Sequence, residues 1–83
     1  MKKLKPENIE ISVKYFKGIN YTPEDAMKKW AKENYEVFYR GIYGKLYIRL
    51  YGASYYYDSW KISQNPFNDS MEIVTIKLKR VEE

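Results

Sequence analysis

Residues 43–51 read Tyr43-Gly44-Lys45-Leu46-Tyr47-Ile48-Arg49-Leu50-Tyr51, and their alternation decides the fold. Leu46, Ile48 and Leu50 fall on one side. Lys45, Tyr47, Arg49 and Tyr51 fall on the other. A two-residue period marks a β-strand with one buried face. The other face of this strand alternates rings with positive charge, so it belongs at a surface.

Working outward, the same period recurs. Asn8 to Phe16 places Ile9, Ile11, Val13 and Tyr15 on one side and Glu10, Ser12, Lys14 and Phe16 on the other. Tyr35 to Arg40, Ser54 to Ile62 and Met71 to Val81 read as further strands. Gly41 to Gly44, Gly52-Ala53-Ser54 and the polar stretch Ser63 to Ser70 read as the turns between them. The remaining segment is helical. Thr22-Pro23-Glu24-Asp25 combines an N-cap, a proline suited to the first turn, and acids at the positive end of the helix dipole. Ala26, Met27, Trp30 and Ala31 form its apolar stripe, with Trp30 expected to make the main contact with the sheet. Asn34 is expected to close the helix in a left-handed conformation.

The order is therefore β-α-β-β-β-β. Short connections make the last four strands antiparallel neighbours. A single helix covers one face of such a sheet and leaves the other wet. Residues 1–83 are expected to form a single α+β domain of two layers, one helix packed on a mostly antiparallel sheet of about five strands.

Composition excludes much chemistry. There is no cysteine, hence no disulfide, thiolate metal site or cysteine nucleophile, and no histidine, the usual base near neutral pH. No cofactor or metal site is expected, and no enzymatic activity. No apolar run approaches the ~20 residues that span a bilayer. The basic start Met1-Lys2-Lys3 is not followed by an apolar segment, so a cytoplasmic location is expected.

With the aliphatic sides on the helix, parity assigns the open face. Taking the even positions of the fourth strand inward, because of Trp60 and Ile62, the open face carries Lys14, Phe16, Lys45, Tyr47, Arg49, Tyr51, Tyr55, Tyr57, Lys61, Lys77 and Lys79. On this assignment Glu10 is its only acid, and the net charge of +4 is concentrated there. Asp58 then points inward, at odds with its charge. Rings interleaved with cations suit single-stranded DNA or RNA, with lysine and arginine on phosphates and tyrosine under bases. A bland origin is also open: tyrosine forms strands well, and an AT-rich genome favours Tyr, Lys, Ile and Asn.

Other candidates are weaker. Arg40-Gly41-Ile42-Tyr43-Gly44-Lys45 has the spacing of the backbone-clamping loop of KH domains, but that loop joins helices and here both flanks read as strands. Asp58, Asp69 and Glu72 would need to converge to hold a nuclease metal. Lys28, Lys29 and Lys32 read as a solvated helix face. Phe67 is expected to tuck beneath the sheet edge. The rival to nucleic acid is a protein partner for the same face, since tyrosine and arginine also dominate protein interfaces. That partner would be a second copy or a host protein. The size, the lack of His and Cys and the Tyr/Lys/Asn bias resemble small accessory proteins of phages and mobile elements, and on that resemblance the protein-partner alternative includes inhibition of a host protein.

Overall fold

The structure is a computed structural model and describes residues 6–50 and 52–81. Its elements are β1 (Asn8–Phe16), α1 (Pro23–Glu33), β2 (Val37–Arg40), a 3₁₀ turn (Ile42–Gly44), β3 (Leu46–Leu50), β4 (Ala53–Gln64) and β5 (Met71–Arg80). The strands form one sheet in the order β1-β5-β4-β3-β2. Every neighbouring pair is antiparallel. Consecutive strands from β2 to β5 are neighbours in space. The chain runs from one edge of the sheet to the other through α1, which packs on a single face. This is the α+β architecture read from the sequence.

Local chemistry sets the helix ends. Thr22 Oγ1 accepts from the Asp25 N–H at 3.2 Å, and Asp25 Oδ2 accepts from the Thr22 N–H at 2.9 Å. This reciprocal box satisfies two donors that the first turn cannot use internally. At the other end the expected role of Asn34 passes to its neighbour. Asn34 has φ −109°, whereas Tyr35 takes φ 57°. The Glu36 N–H reaches Ala31 O at 2.9 Å, the long backbone bond of a left-handed helix stop. Tyr35 there is 95% exposed and contributes no packing.

The core lies between α1 and the sheet. Ile11, Val13, Ile48, Leu50, Tyr55, Val74, Ile76 and Leu78 meet Ala26 and Met27. Met27 is fully buried, while Trp30 is only half-buried against the cluster. The central helix contact is therefore Met27, not Trp30. The larger ring sits at the rim of a stripe whose middle is occupied by small residues and a flexible thioether. Glu24 pins the start of α1 to β2 through Arg40 and pairs with Lys28 one turn along α1, and hydrogen bonding from these two holds its carboxyl below the usual range.

Beyond the end of α1's reach, rings complete the layer. Tyr21 stacks on Tyr15 with centroids 4.1 Å apart and meets Trp60 edge-on at 5.8 Å. Its hydroxyl donates to Glu72 Oε2 at 2.7 Å. Burial first, then the bond to the Glu72 carboxylate, push the Tyr21 phenol up to about 12 from an ordinary 10.0. The neutral phenol is the form the fold prefers. This contribution is complete below the unfolded value and is lost as pH rises through the folded one. Stability should therefore fall between pH of about 10 and about 12. Denaturant midpoints measured up that range should fall less steeply for Tyr21→Phe, which has no proton there to lose. An equal slope would show that the Tyr21 phenol takes no part.

Candidate functional site

Register places each side chain. In β1 the open face takes Asn8, Glu10, Ser12, Lys14 and Phe16; in β5 it takes Met71, Ile73, Thr75, Lys77 and Lys79, their partners across the pair. In β3 it takes Tyr47 and Arg49, which pair with Tyr39 and Val37 of β2. No described element packs on this face; α1 lies on the other.

β4 departs from simple alternation. Tyr57 pairs with Leu78 and Ser59 with Lys77, so Asp58 is an extra residue in a β-bulge. The bulge reverses the phase of the strand. Before it, Tyr55 and Tyr57 face the helix, Tyr55 opposite Ile48 and Tyr57 opposite Leu78. After it, Trp60 and Ile62 face the helix, opposite Ile76 and Val74. Asp58 itself reaches the open face, with Oδ1 4.0 Å from Lys79 Nζ. The inward carboxylate implied by unbroken parity does not exist.

Two site expectations are corrected as a result. Tyr55 is fully buried, and its hydroxyl donates to Pro6 O at 2.7 Å. Tyr57 is half-buried on the helix face, where burial first and the Asp58 charge second raise its phenol pKa. Neither ring is offered to a base. Tyr56, absent from the expected set, takes the open position between them, opposite Tyr47. Asp58 joins Glu10 as an acid of this face. Tyr51 lies outside the described residues.

The remaining residues stand as expected. Lys14, Lys45, Arg49, Lys61, Lys77 and Lys79 are exposed on the open face, and Phe16 is 58% exposed beside them. Tyr47 is there too, half-buried. Its ring does not project alone. It stacks on Tyr39 at 4.9 Å with the planes 10° apart, and its edge lies over Gly41. A Cβ at Gly41 would collide with it, so this glycine is needed for close approach rather than for its dihedrals. Gly44, with φ 76°, is the glycine the turn needs for its backbone. Lys45 Nζ lies 5.6 Å from the Tyr56 ring centre. Lys79, Tyr56, Tyr47 and Tyr39 thus form a row across four strands. Strands about 4.8 Å apart bring such rings face to face with each other. Spacing along one strand could not show this, since it depends on which strands pair.

Cations follow the other direction. Lys14 lies level with Ile73, Lys61 with Thr75, then come Lys77 and Lys79 of β5. Arg49 pairs with Ser54, whose carbonyl accepts from the Val81 N–H. One cation therefore sits at every second residue level from 73 to 81, a step of about 6.6 Å along the strands. Shallow depressions bordered by Lys61, Lys77, Lys79 and Tyr56 follow this line.

The other candidates separate. Asp58 is on the open face, while Glu72 is on the helix face holding Tyr21. No group of three acidic, histidine or cysteine residues among those described is placed to hold a metal. The glycine pair flanks a turn between strands. Phe67 is not tucked: it is 95% exposed, because Asn65, itself buried, accepts the Phe67 N–H at 2.9 Å and folds the loop outward around its own amide. No described helix is long and apolar enough to cross a membrane.

No protein-family model matches the chain, and no curated protein or solved structure matches it either.

Proposed function

We propose that the open face binds an extended polyanion, single-stranded DNA or RNA, chiefly through its phosphates. The observation that carries this reading is the spacing of Lys14, Lys61, Lys77, Lys79 and Arg49, one cation per rung along a face that no described element covers. A duplex holds its charges on a curved surface, whereas a flexible strand can follow a flat ladder. Lys45 adds a sixth charge beside Tyr56. Glu10 and Asp58 oppose them, leaving the face clearly positive.

Stacking has a smaller part than the sequence suggests. Tyr39 and Tyr47 already use ring faces on each other. Of the described rings on this face, Tyr56 and Phe16 are left to meet bases. Sequence preference is accordingly expected to be slight, because phosphate contacts position a strand without reading it.

The test is affinity for a short labelled single strand over a range of salt. Log affinity should fall linearly with log salt, by about 0.7 for each phosphate neutralised. Lys61→Ala combined with Lys77→Ala removes adjacent rungs and should flatten the slope by about 1.4. Both positions are exposed, so the fold should persist. No binding at low salt, or a slope that ignores the lost lysines, would remove nucleic acid as the ligand of this face.

A further inference from the structure

Among the described residues, the outer edge of β1 is the longest stretch of backbone in the sheet without a neighbouring strand along one side. Which groups face outward follows from two bonds: the Lys17 N–H donates to Ser70 O at 2.9 Å, and the Arg80 N–H donates to Glu7 O at 2.9 Å. Hydrogen-bonded pairs alternate along an antiparallel ladder. Ile9, Ile11, Val13 and Tyr15 therefore spend their backbone groups on β5. Asn8, Glu10, Ser12, Lys14 and Phe16 turn theirs to the outer edge. Consistent with this, Lys29 Nζ from α1 donates to Lys14 O at 2.6 Å.

We infer that this edge pairs antiparallel with β1 of a second copy, on a two-fold axis through Ser12. In that register Ser12 lies opposite Ser12, Glu10 opposite Lys14, and Asn8 opposite Phe16. All of these residues have outward backbone groups, so every facing pair can exchange hydrogen bonds. On the helix face Ile11 lies beside Val13, and Ile9 beside Tyr15, which continues the apolar layer. The charge pattern selects this register over its neighbours. Sliding the strands by four residues in pairing sum sets Glu10 against Glu10 one way and Lys14 against Lys14 the other. Slides of two in the sum leave both charges unmatched. Opposite charges directly across a strand pair attract and like charges repel.

The pairing would displace the Lys29 ammonium from Lys14 O in favour of the Glu10 N–H of the second copy. Lys29 keeps its other partners, Glu33 at 3.6 Å and the Tyr15 ring at 4.8 Å. Both open faces would lie on the same side of the joined sheet. The dimer stands independently of what that face binds.

Sedimentation equilibrium without nucleic acid, over micromolar to millimolar protein, reads the association. Wild type should approach the dimer mass. Lys14→Glu turns two attractive pairs into two repulsive ones and should weaken the dimer by about tenfold or more. Adding Glu10→Lys to it reverses both charges and should restore the dimer. The chain has no cysteine, so Ser12→Cys supplies a lone thiol that should oxidise to a covalent dimer across the axis. Circular dichroism checks the fold of each variant. A wild type that stays monomeric throughout would overturn the inference. So would a dimer indifferent to Lys14→Glu, or one cross-linked by Lys61→Cys on the open face but not by Ser12→Cys.

Discussion

Tyr55→Ala should destabilise the domain by about 3–5 kcal/mol, the range for emptying a fully buried aromatic site. Tyr55 is among the largest fully buried side chains and sits between β3 and β5 at the middle of the sheet. Domains have only about 5–15 kcal/mol in total, so the variant should be close to unfolded at ordinary temperatures. Tyr55→Phe keeps the ring but withdraws the donor from Pro6 O, a loss of about 0.5–1.5 kcal/mol. Tyr56→Ala, one residue along, should lose less than about 1 kcal/mol. The same Tyr56 change should weaken oligonucleotide binding, while Tyr55→Phe should leave it unchanged. Urea unfolding of the three variants, with titration of those that fold, separates the roles. Equal losses at Tyr55 and Tyr56 would show that the phase of β4 before the bulge has been misassigned.

That contrast also marks where the sequence was sufficient and where it was not. β1, β3 and β5 alternate without interruption, so parity placed Ile11, Val13, Ile48, Leu50, Val74, Ile76 and Leu78 in the core and Lys14, Arg49, Lys77 and Lys79 outside. The capping box at Thr22 and Asp25 needed only local chemistry. β4 failed because a bulge is a change of phase, and a strict two-residue period cannot represent one. Its trace was present as a conflict: either Tyr55 and Tyr57 or Trp60 and Ile62 could be inward, and with either choice Asp58 or the other pair stood on the wrong side. An extra residue at Asp58 satisfies all of them. The Tyr39–Tyr47 stack was illegible for another reason, since it depends on pairing between strands. The apolar ring of Phe67 suggests burial, but the Asn65 side chain shapes the loop and turns Phe67 outward.

The bulge itself yields the sharpest contrast, between two chains of equal length. Deleting Asp58 joins Tyr57 directly to Ser59. Their partners Leu78 and Lys77 are already consecutive, so every pair of β4 with β5 survives and the alternation becomes regular. This variant should fold with stability within about 1–2 kcal/mol of wild type, losing mainly the local twist a bulge adds. Deleting Tyr56 also makes the strand regular, but in the wrong phase. Tyr57 moves to the open face and Asp58 to the helix face, between apolar side chains and without a cation. The alternative is to slip the first half of β4 against β3 and expose Tyr55. Either outcome should cost several kcal/mol, about the penalty for burying an unpaired carboxylate or emptying a core site. Thermal melts should therefore show a cooperative transition near that of wild type for the Asp58 deletion and none, or a much lower one, for the Tyr56 deletion. Function should move the other way from stability in the surviving variant. Removing Asp58 takes one of the acids from the open face and frees Lys79 from its ion pair. Affinity for a single strand at low salt should rise, with the gain fading as salt screens the face. If the Asp58 deletion unfolds the domain, the bulge is structurally required; if it folds and binds no better, Lys79 is not among the phosphate contacts.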